Sequence, residues 1–214
     1  MPPPDAPVPL ALPAWPEGPY VAAPPTDAAA LRQLVAGEVV EAAIGLIGCR
    51  IVTPAGALTI VETEAYHQAE PACHGYGGHT GRAKKLRRPA GYAYVYLSYG
   101  IHRLVNVVTG AQDVASAVLI RGAMAHVSGP DAEGTVAVPG PGRVGTALGA
   151  ELDDDGVDLL AGATFRLEPA EAASAVAGQR IAAGPRIGIS KAVELPWRFG
   201  LADSPGVSLP RIET

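Results

Sequence analysis

The chain has 214 residues, 48% apolar and only 17% charged, with a formal charge of −5, a length and composition that suit one domain with a real core. Its two cysteines exclude a disulfide scaffold, and no run approaches the roughly 18 apolar residues of a membrane span, so a soluble, cytoplasmic protein with no signal peptide is expected. The charge is segregated: residues 71–112 hold six Lys/Arg and no acid, against 10 basic and 21 acidic residues elsewhere, so an acidic chain stays compatible with a nucleic-acid partner.

Residues 1–25 contain ten prolines and read as an extended, flexible tail in which Trp15 and Tyr20 can dock locally; the folded domain is expected over 26–214. Thr26 or Asp27 can cap a helix with Leu31, Leu34 and Val35 on one side, stopped at Gly37. Runs 44–52 and 58–66 are β-rich, and Thr53-Pro54-Ala55-Gly56 reads as a hairpin turn between them. Residues 67–91 lack periodicity and read as a long functional loop. Runs 94–98 and 104–108 form a second strand pair around the tip Tyr99-Gly100-Ile101-His102, and 117–121 a further strand. Residues 128–140 read as loop, Gly140-Pro141-Gly142-Arg143 opens a short helix through Leu148, and 153–156 is a solvated turn. The last third alternates short strands, 187–189 among them, with Pro/Gly turns.

Several constellations carry chemistry. Glu62 and Glu64 share one strand face with Leu58, Ile60 and Tyr66, where desolvation and mutual repulsion would raise at least one pKa. The commoner fate of a generic Glu-x-Glu is an exposed pair on an edge strand. His67, His74, His79, His102 and His126 match no zinc spacing, so no metal is expected. Cys73-His74 is a weak nucleophile and base pair, because adjacent side chains rarely face each other. Arg82, Lys84, Lys85, Arg87 and Arg88 border an aromatic hairpin and are candidates for phosphate contact, or simply a solvated run. Tyr94 and Tyr96 share a strand face; Tyr99 lies opposite at the tip and is a candidate wedge into a base stack. A buried Asn106 would serve as a structural clip or a selectivity group.

The ordered set Val61-Glu62-Thr63-Glu64-Ala65-Tyr66, His74, 94–100, Asn106, Val118-Leu119-Ile120-Arg121 and Gly140-Pro141-Gly142 resembles the alkyladenine (3-methyladenine or methylpurine) DNA glycosylase family, over about residues 28–207. The resemblance implies a single mixed α/β (α+β) domain with a curved, largely antiparallel sheet, flanking helices and a protruding, DNA-intercalating β-hairpin. It implies an enzyme that flips damaged purines, alkylated or deaminated, out of double-stranded DNA and hydrolyses the N-glycosidic bond without strand cleavage. Glu64 matches the general base and Arg121 the arginine closing the active site. Tyr66, His74 and Tyr96 match the rings that sandwich the base, Asn106 the pocket asparagine and Tyr99 the intercalating residue. Arg143 matches a phosphate contact, to which the sequence adds Arg82, Lys84 and Lys85. A monomer acting without a cofactor is expected. The chain departs from the family at Thr80-Gly81-Arg82-Ala83 and Leu86-Arg87, where Thr-Pro-Arg-Asn and Met-Phe are common, and in a slightly short loop between Tyr66 and His74. Two other classes use the same residues: a non-catalytic nucleic-acid-binding module, and a metal-dependent hydrolase built on the histidines.

Overall fold

The computed structural model describes residues 11–13, 16–78, 81–129, 132–163, 165–171 and 174–212. Much of the proline-rich stretch (1–10, 14 and 15) and His79 with Thr80 lie outside the described residues. Among those described, ten strands form one sheet whose pairings are all antiparallel. The elements run β1 (Tyr20–Val21), α1 (Ala28–Ala36), α2 (Val39–Gly45), β2 (Arg50–Thr53), β3 (Gly56–His67), α3 (Gly81–Leu86), β4 (Ala93–Ser98) and β5 (His102–Val108). There follow β6 (Ser116–Gly129), β7 (Ala132–Pro139), α4 (Pro141–Ala147), β8 (Arg166–Glu168), β9 (Arg180–Gly184) and β10 (Arg198–Leu201), with a 3-10 turn at Leu152–Asp154. The main path is β1-β9-β10-β3-β6-β5-β4, with β2 beside the start of β3, β8 on the other side of β2, and β7 beside β6. This is the mixed α/β domain with an antiparallel sheet that the sequence implied.

Local chemistry explains the well-anticipated elements. Asp27 caps α1 by accepting the Ala30 amide at 2.8 Å, and Gly37 ends it. Thr53 pairs with Gly56 to close the β2–β3 hairpin. Tyr20 pairs with Ile181 at the sheet edge, and its ring meets Phe199 edge-on at 5.8 Å, so the proline-rich stretch joins the domain from there.

Other readings need correction. Run 44–52 is not one strand: Ile44 and Gly45 are the end of α2, whose apolar residues pack into the main core, and β2 starts only at Arg50. Residues 81–86 form the short helix α3, too brief to show helical periodicity. Residues 132–139 form β7 rather than loop, because β6 runs far beyond residue 121 and supplies a pairing edge. Residues 187–189 are not a strand; they form an open bend over the carboxylates of β3. The 153–156 turn is only partly solvated, since the Asp155 side chain is 8% exposed and paired.

The position of β3 decides the rest. β10 pairs with Glu62–Glu64 on one side and β6 lies along the other, so the acidic stretch is central rather than at an edge. The β3/β6 register shifts between Ile60 and Glu62 and again between Glu62 and Thr63. Leu58 and Ile60 enter the main core cluster, while Tyr66 packs with a smaller cluster around Tyr94, Leu86 and Val108. Thr63 points to the helical side and donates to the Ala43 carbonyl of α2 at 2.7 Å, leaving its neighbours Glu62 and Glu64 on the opposite face.

Helix α4 packs tightly against β5. A Cβ on Gly145 would lie 2.0 Å from the Arg103 carbonyl oxygen, a backbone atom that cannot swing aside. Gly145→Ala should therefore destabilise the fold by about 1–3 kcal/mol in urea denaturation.

Candidate active site

A cleft of about 840 Å³ opens between the β4–β5 hairpin, the start of α4, the segment before α3 and the bend after β9. That volume lies in the ordinary range of small-molecule clefts. Its walls include Tyr66, His74, Tyr96, Asn106, Arg121 and Arg143, so residues far apart in the chain converge there. Arg82 and Tyr99 also border it.

The aromatic wall is ordered by hydrogen bonds. Tyr94 and Tyr96 stack at 5.3 Å with 24° between planes, and His74 meets Tyr96 at 4.9 Å, nearly perpendicular. His74 Nε2 lies 3.3 Å from Arg82 Nη1 and Nδ1 lies 2.9 Å from the Tyr94 hydroxyl. A guanidinium can only donate, so Nε2 accepts and Nδ1–H donates to Tyr94. Burial and then the Arg82 charge both push the His74 pKa down, which favours the neutral imidazole. Asn106 Nδ2 donates to the Tyr94 carbonyl at 3.0 Å, so it is a clip on the hairpin as well as a wall residue. Tyr94 is a participant the sequence reading left as a neighbour of Tyr96; the alternation along 94–96 was the available signal.

Glu64 lies one layer behind this wall, with no exposed area. Its Oε1 accepts the Ile187 amide at 2.8 Å and lies 3.4 Å from Arg121 Nη1; its Oε2 accepts the Tyr66 hydroxyl at 2.8 Å. Burial raises the Glu64 pKa, opposed by Arg121, the Ile187 amide and the Tyr66 hydroxyl, with a further upward push from Glu62. The Tyr66 hydroxyl is pushed well up by burial and then by Glu64, so it stays a donor.

Glu62 has a different life. Arg198 Nε binds its Oε1 at 2.6 Å, the Ser208 hydroxyl binds the same oxygen at 2.9 Å, and the Ser208 amide binds Oε2 at 2.8 Å. Arg121 Nε sits 3.0 Å from Ser208 Oγ and 3.4 Å from Glu62 Oε1. Both carboxylates are thus buried, contrary to the exposed-edge expectation for Glu-x-Glu. Arg198, Ser208 and the Ile187 amide had no sequence signal, since a backbone N–H is invisible in the side-chain code.

The basic run is divided. Lys85 and Arg88 pair with Asp155 at 2.8 and 2.9 Å, and Arg87 donates to the carbonyl of Asp113 at 3.1 Å. Arg82, Lys84 and Arg143 are exposed, Arg82 and Arg143 at the cleft. At the departures from the family, Leu86 joins the smaller apolar cluster and lines the cleft, while Arg87 binds carbonyls. Cys73 cannot act as a ready nucleophile, because burial raises its thiol pKa to about 12. Among the described residues no group of three His, Cys, Asp or Glu could hold a metal, and no helix is long and apolar enough to cross a membrane.

At the hairpin tip Tyr99 is 87% exposed. Tyr99 (φ 50°) and Gly100 (φ 74°) are both left-handed, and Ile101 N–H bonds Ser98 carbonyl at 3.1 Å. That is the twist a tight hairpin turn needs, but a tyrosine is an unusual occupant and its conformation is strained by roughly 1–2 kcal/mol.

Comparison with known proteins identifies the family. Residues 33–205 match the model of the family described as methylpurine-DNA glycosylase (MPG). A relative from Rhodopseudomonas palustris (strain BisB5), provisionally named a 3-methyladenine DNA glycosylase, is 43% identical over 187 residues, covering 84% of this chain and 89% of that protein. One of the same name from Synechococcus elongatus is 43% identical, covering 82% and 88%, and one from Nocardia farcinica is 42% identical, covering 79% and 86%. The class these findings define is that of DNA N-glycosylases, hydrolases of N-glycosyl bonds. Within it, the chain belongs to the methylpurine-DNA glycosylase family.

Asp155 offers a stability test of the divided basic run. Burial pushes its pKa up, but the Arg88 and Lys85 bonds and the Val95 amide outweigh this and hold it below the usual aspartate range. A depressed carboxylate stabilises the fold above its unfolded pKa and loses that contribution as pH falls through the folded value. Asp155→Ala should cost about 2–4 kcal/mol at neutral pH in urea denaturation, with the gap closing in acid; a gap constant with pH would reject the assignment.

Proposed function

We propose that this protein flips alkylated or deaminated purines out of duplex DNA and hydrolyses their N-glycosidic bond, with Glu64 as general base. The observation that carries the reading is a fully buried carboxylate one side chain beneath an aromatic cleft whose rim carries an exposed tyrosine. Tyr66, His74 and Tyr96 receive the extruded base, stacking offsets part of the flipping cost of a few kcal/mol, and Tyr99 fills the vacated stack. Asn106 at the wall screens purine substituents. Arg82, Lys84, Lys85 and Arg143 are assigned to backbone phosphates, Lys85 while sharing its charge with Asp155.

The chemistry follows from the carboxylate's surroundings. As the C1′–N bond breaks, its electrons leave with the base and C1′ becomes oxocarbenium-like. Glu64 must be ionised to stabilise that charge and to take a proton from the attacking water as the O–C1′ bond forms. Arg121, the Ile187 amide and the Tyr66 hydroxyl favour that ionised form against desolvation. Oε2 accepts the Tyr66 hydroxyl in the free protein, and its second lone pair can accept a bond from the water. No cofactor enters these steps. The protein acts as a monomer on lesion-bearing duplex DNA.

Glu64→Gln should abolish base release, by roughly 10³-fold or more, while leaving lesion-duplex binding nearly intact. The parent's single-turnover rate should rise with pH through an apparent pKa above the ordinary carboxylate range. Because the folded pKa is raised, ionising Glu64 opposes folding: stability is highest below the unfolded pKa and falls as pH rises through the folded one. The glutamine variant should therefore be at least as heat-stable as the parent at neutral pH. Near-normal turnover by this variant would sink the mechanism. A parent that binds lesions but releases no base would leave the binding module as the function, and a borohydride-trapped adduct at Lys191, which lines the cleft rim, would reject simple hydrolysis.

Tyr99→Ala should weaken lesion-duplex affinity by about 1–3 kcal/mol, read by competition binding, with little effect on an undamaged duplex. Unchanged lesion affinity would exclude the wedge.

A further inference from the structure

Behind the cleft a second buried ion pair joins three separate stretches of chain. Arg186 and Glu70, with side chains 0% and 1% exposed, meet through two bonds: Nη1 to Oε1 at 2.8 Å and Nη2 to Oε2 at 3.1 Å. Arg186 also donates to the carbonyls of Ala65 at 2.8 Å and Ala192 at 3.3 Å. Its guanidinium carbon lies 4.6 Å from the centre of the Tyr66 ring, yet Arg186 does not line the cleft. The cation therefore covers Tyr66 from the side away from the cavity. Glu70 Oε2 in turn accepts the Ala72 amide at 2.7 Å, two residues before the wall residue His74. The peptide that follows Arg186 delivers the Ile187 amide to Glu64.

We propose that the Arg186–Glu70 pair is the positioning device of the base pocket: it braces the Tyr66 ring from behind and holds the Ile187 amide on Glu64. The proposal rests on the reading that Glu64 performs base release. A bidentate guanidinium fixes direction as well as distance, which an ammonium cannot do. Such a buried pair adds little net stability over an apolar packing of the same shape, so an orienting role accounts for its place here. The groups facing Glu64 are Arg121 from β6, Tyr66 and Glu62 from its own strand, Tyr96 from β4 and the Ile187 amide from the bend. Of these, the pair touches Tyr66 directly and sets the Ile187 amide through the backbone. Loosening both withdraws two donors that favour the ionised carboxylate.

The test uses full-length Glu70→Gln, isosteric and able to keep the Ala72 bond, and Arg186→Lys. In the free protein, hydrogen exchange of the Ile187 amide should quicken about tenfold in both variants while the central β3 amides stay protected. Single-turnover base release from duplexes carrying hypoxanthine, ethenoadenine or an alkylated purine should fall roughly 10- to 100-fold. The acid limb of the rate profile should move to higher pH, a change that general loosening would not produce. An unmoved acid limb, or unchanged Ile187 exchange in both folded variants, would overturn the proposal. If the parent releases no base from any duplex, the reading of Glu64 fails on its own account, and the exchange measurement still decides the clamp.

Discussion

Two carboxylates buried side by side at the centre of a sheet must bring cations with them. Desolvating each ion costs several kcal/mol, and an unpaired one in this position would unfold the domain or take up a proton. Arg121 arrives from β6 and Arg198 from β10, the strands flanking β3. The end of the chain then returns so that Ser208 can bond Glu62 with both its amide and its hydroxyl and support Arg121 as well. Strand order, the bend after β9 and the course of the C-terminal segment are thus all constrained by one charge cluster.

The cluster is not symmetric, and its asymmetry separates structure from chemistry. Glu62 is saturated by an arginine at 2.6 Å and two donors from one serine. Glu64 has one backbone amide, one tyrosine hydroxyl and a more distant arginine. The first carboxylate neutralises two guanidiniums and fixes their directions. The second retains a heightened affinity for protons and one oxygen held only by a side chain that belongs to the cleft. A site that keeps such a group opposes its own folding slightly, a tension expected where reactivity is stored.

Much of this was legible in the chain. Asp27 and Gly37 bounded α1, Pro54-Ala55-Gly56 marked a hairpin, and the Tyr94-x-Tyr96 alternation set one face of β4, because each signal is local. The ordered motif set from Val61 to Gly142 carried the candidate site even where periodicity was silent. What escaped depended on partners distant in sequence. Nothing local in 132–139 announces β7, whose existence depends on the length of β6. Nothing in 185–189 announces that a backbone amide there will meet Glu64. Asp155 read as a water-loving turn residue because its two cations come from α3 and the residues just after it, about seventy positions earlier. Glu62 and Glu64 could be placed on one face, but their burial followed only from strands on both sides of β3.

The division of the basic run bears on the field that this face projects into solvent. Of the six cations between residues 71 and 112, Lys85 and Arg88 face Asp155, Arg103 faces Glu151, and Arg87 is turned to carbonyls, leaving Arg82 and Lys84 as the undivided outward charges. Counterion release scales with the number of phosphates neutralised, so a cation already paired within the fold contributes less to it than one facing solvent. The outward field of this face is therefore weaker than the six cations of the sequence imply, because acids brought in from residues 151 and 155 share the charge.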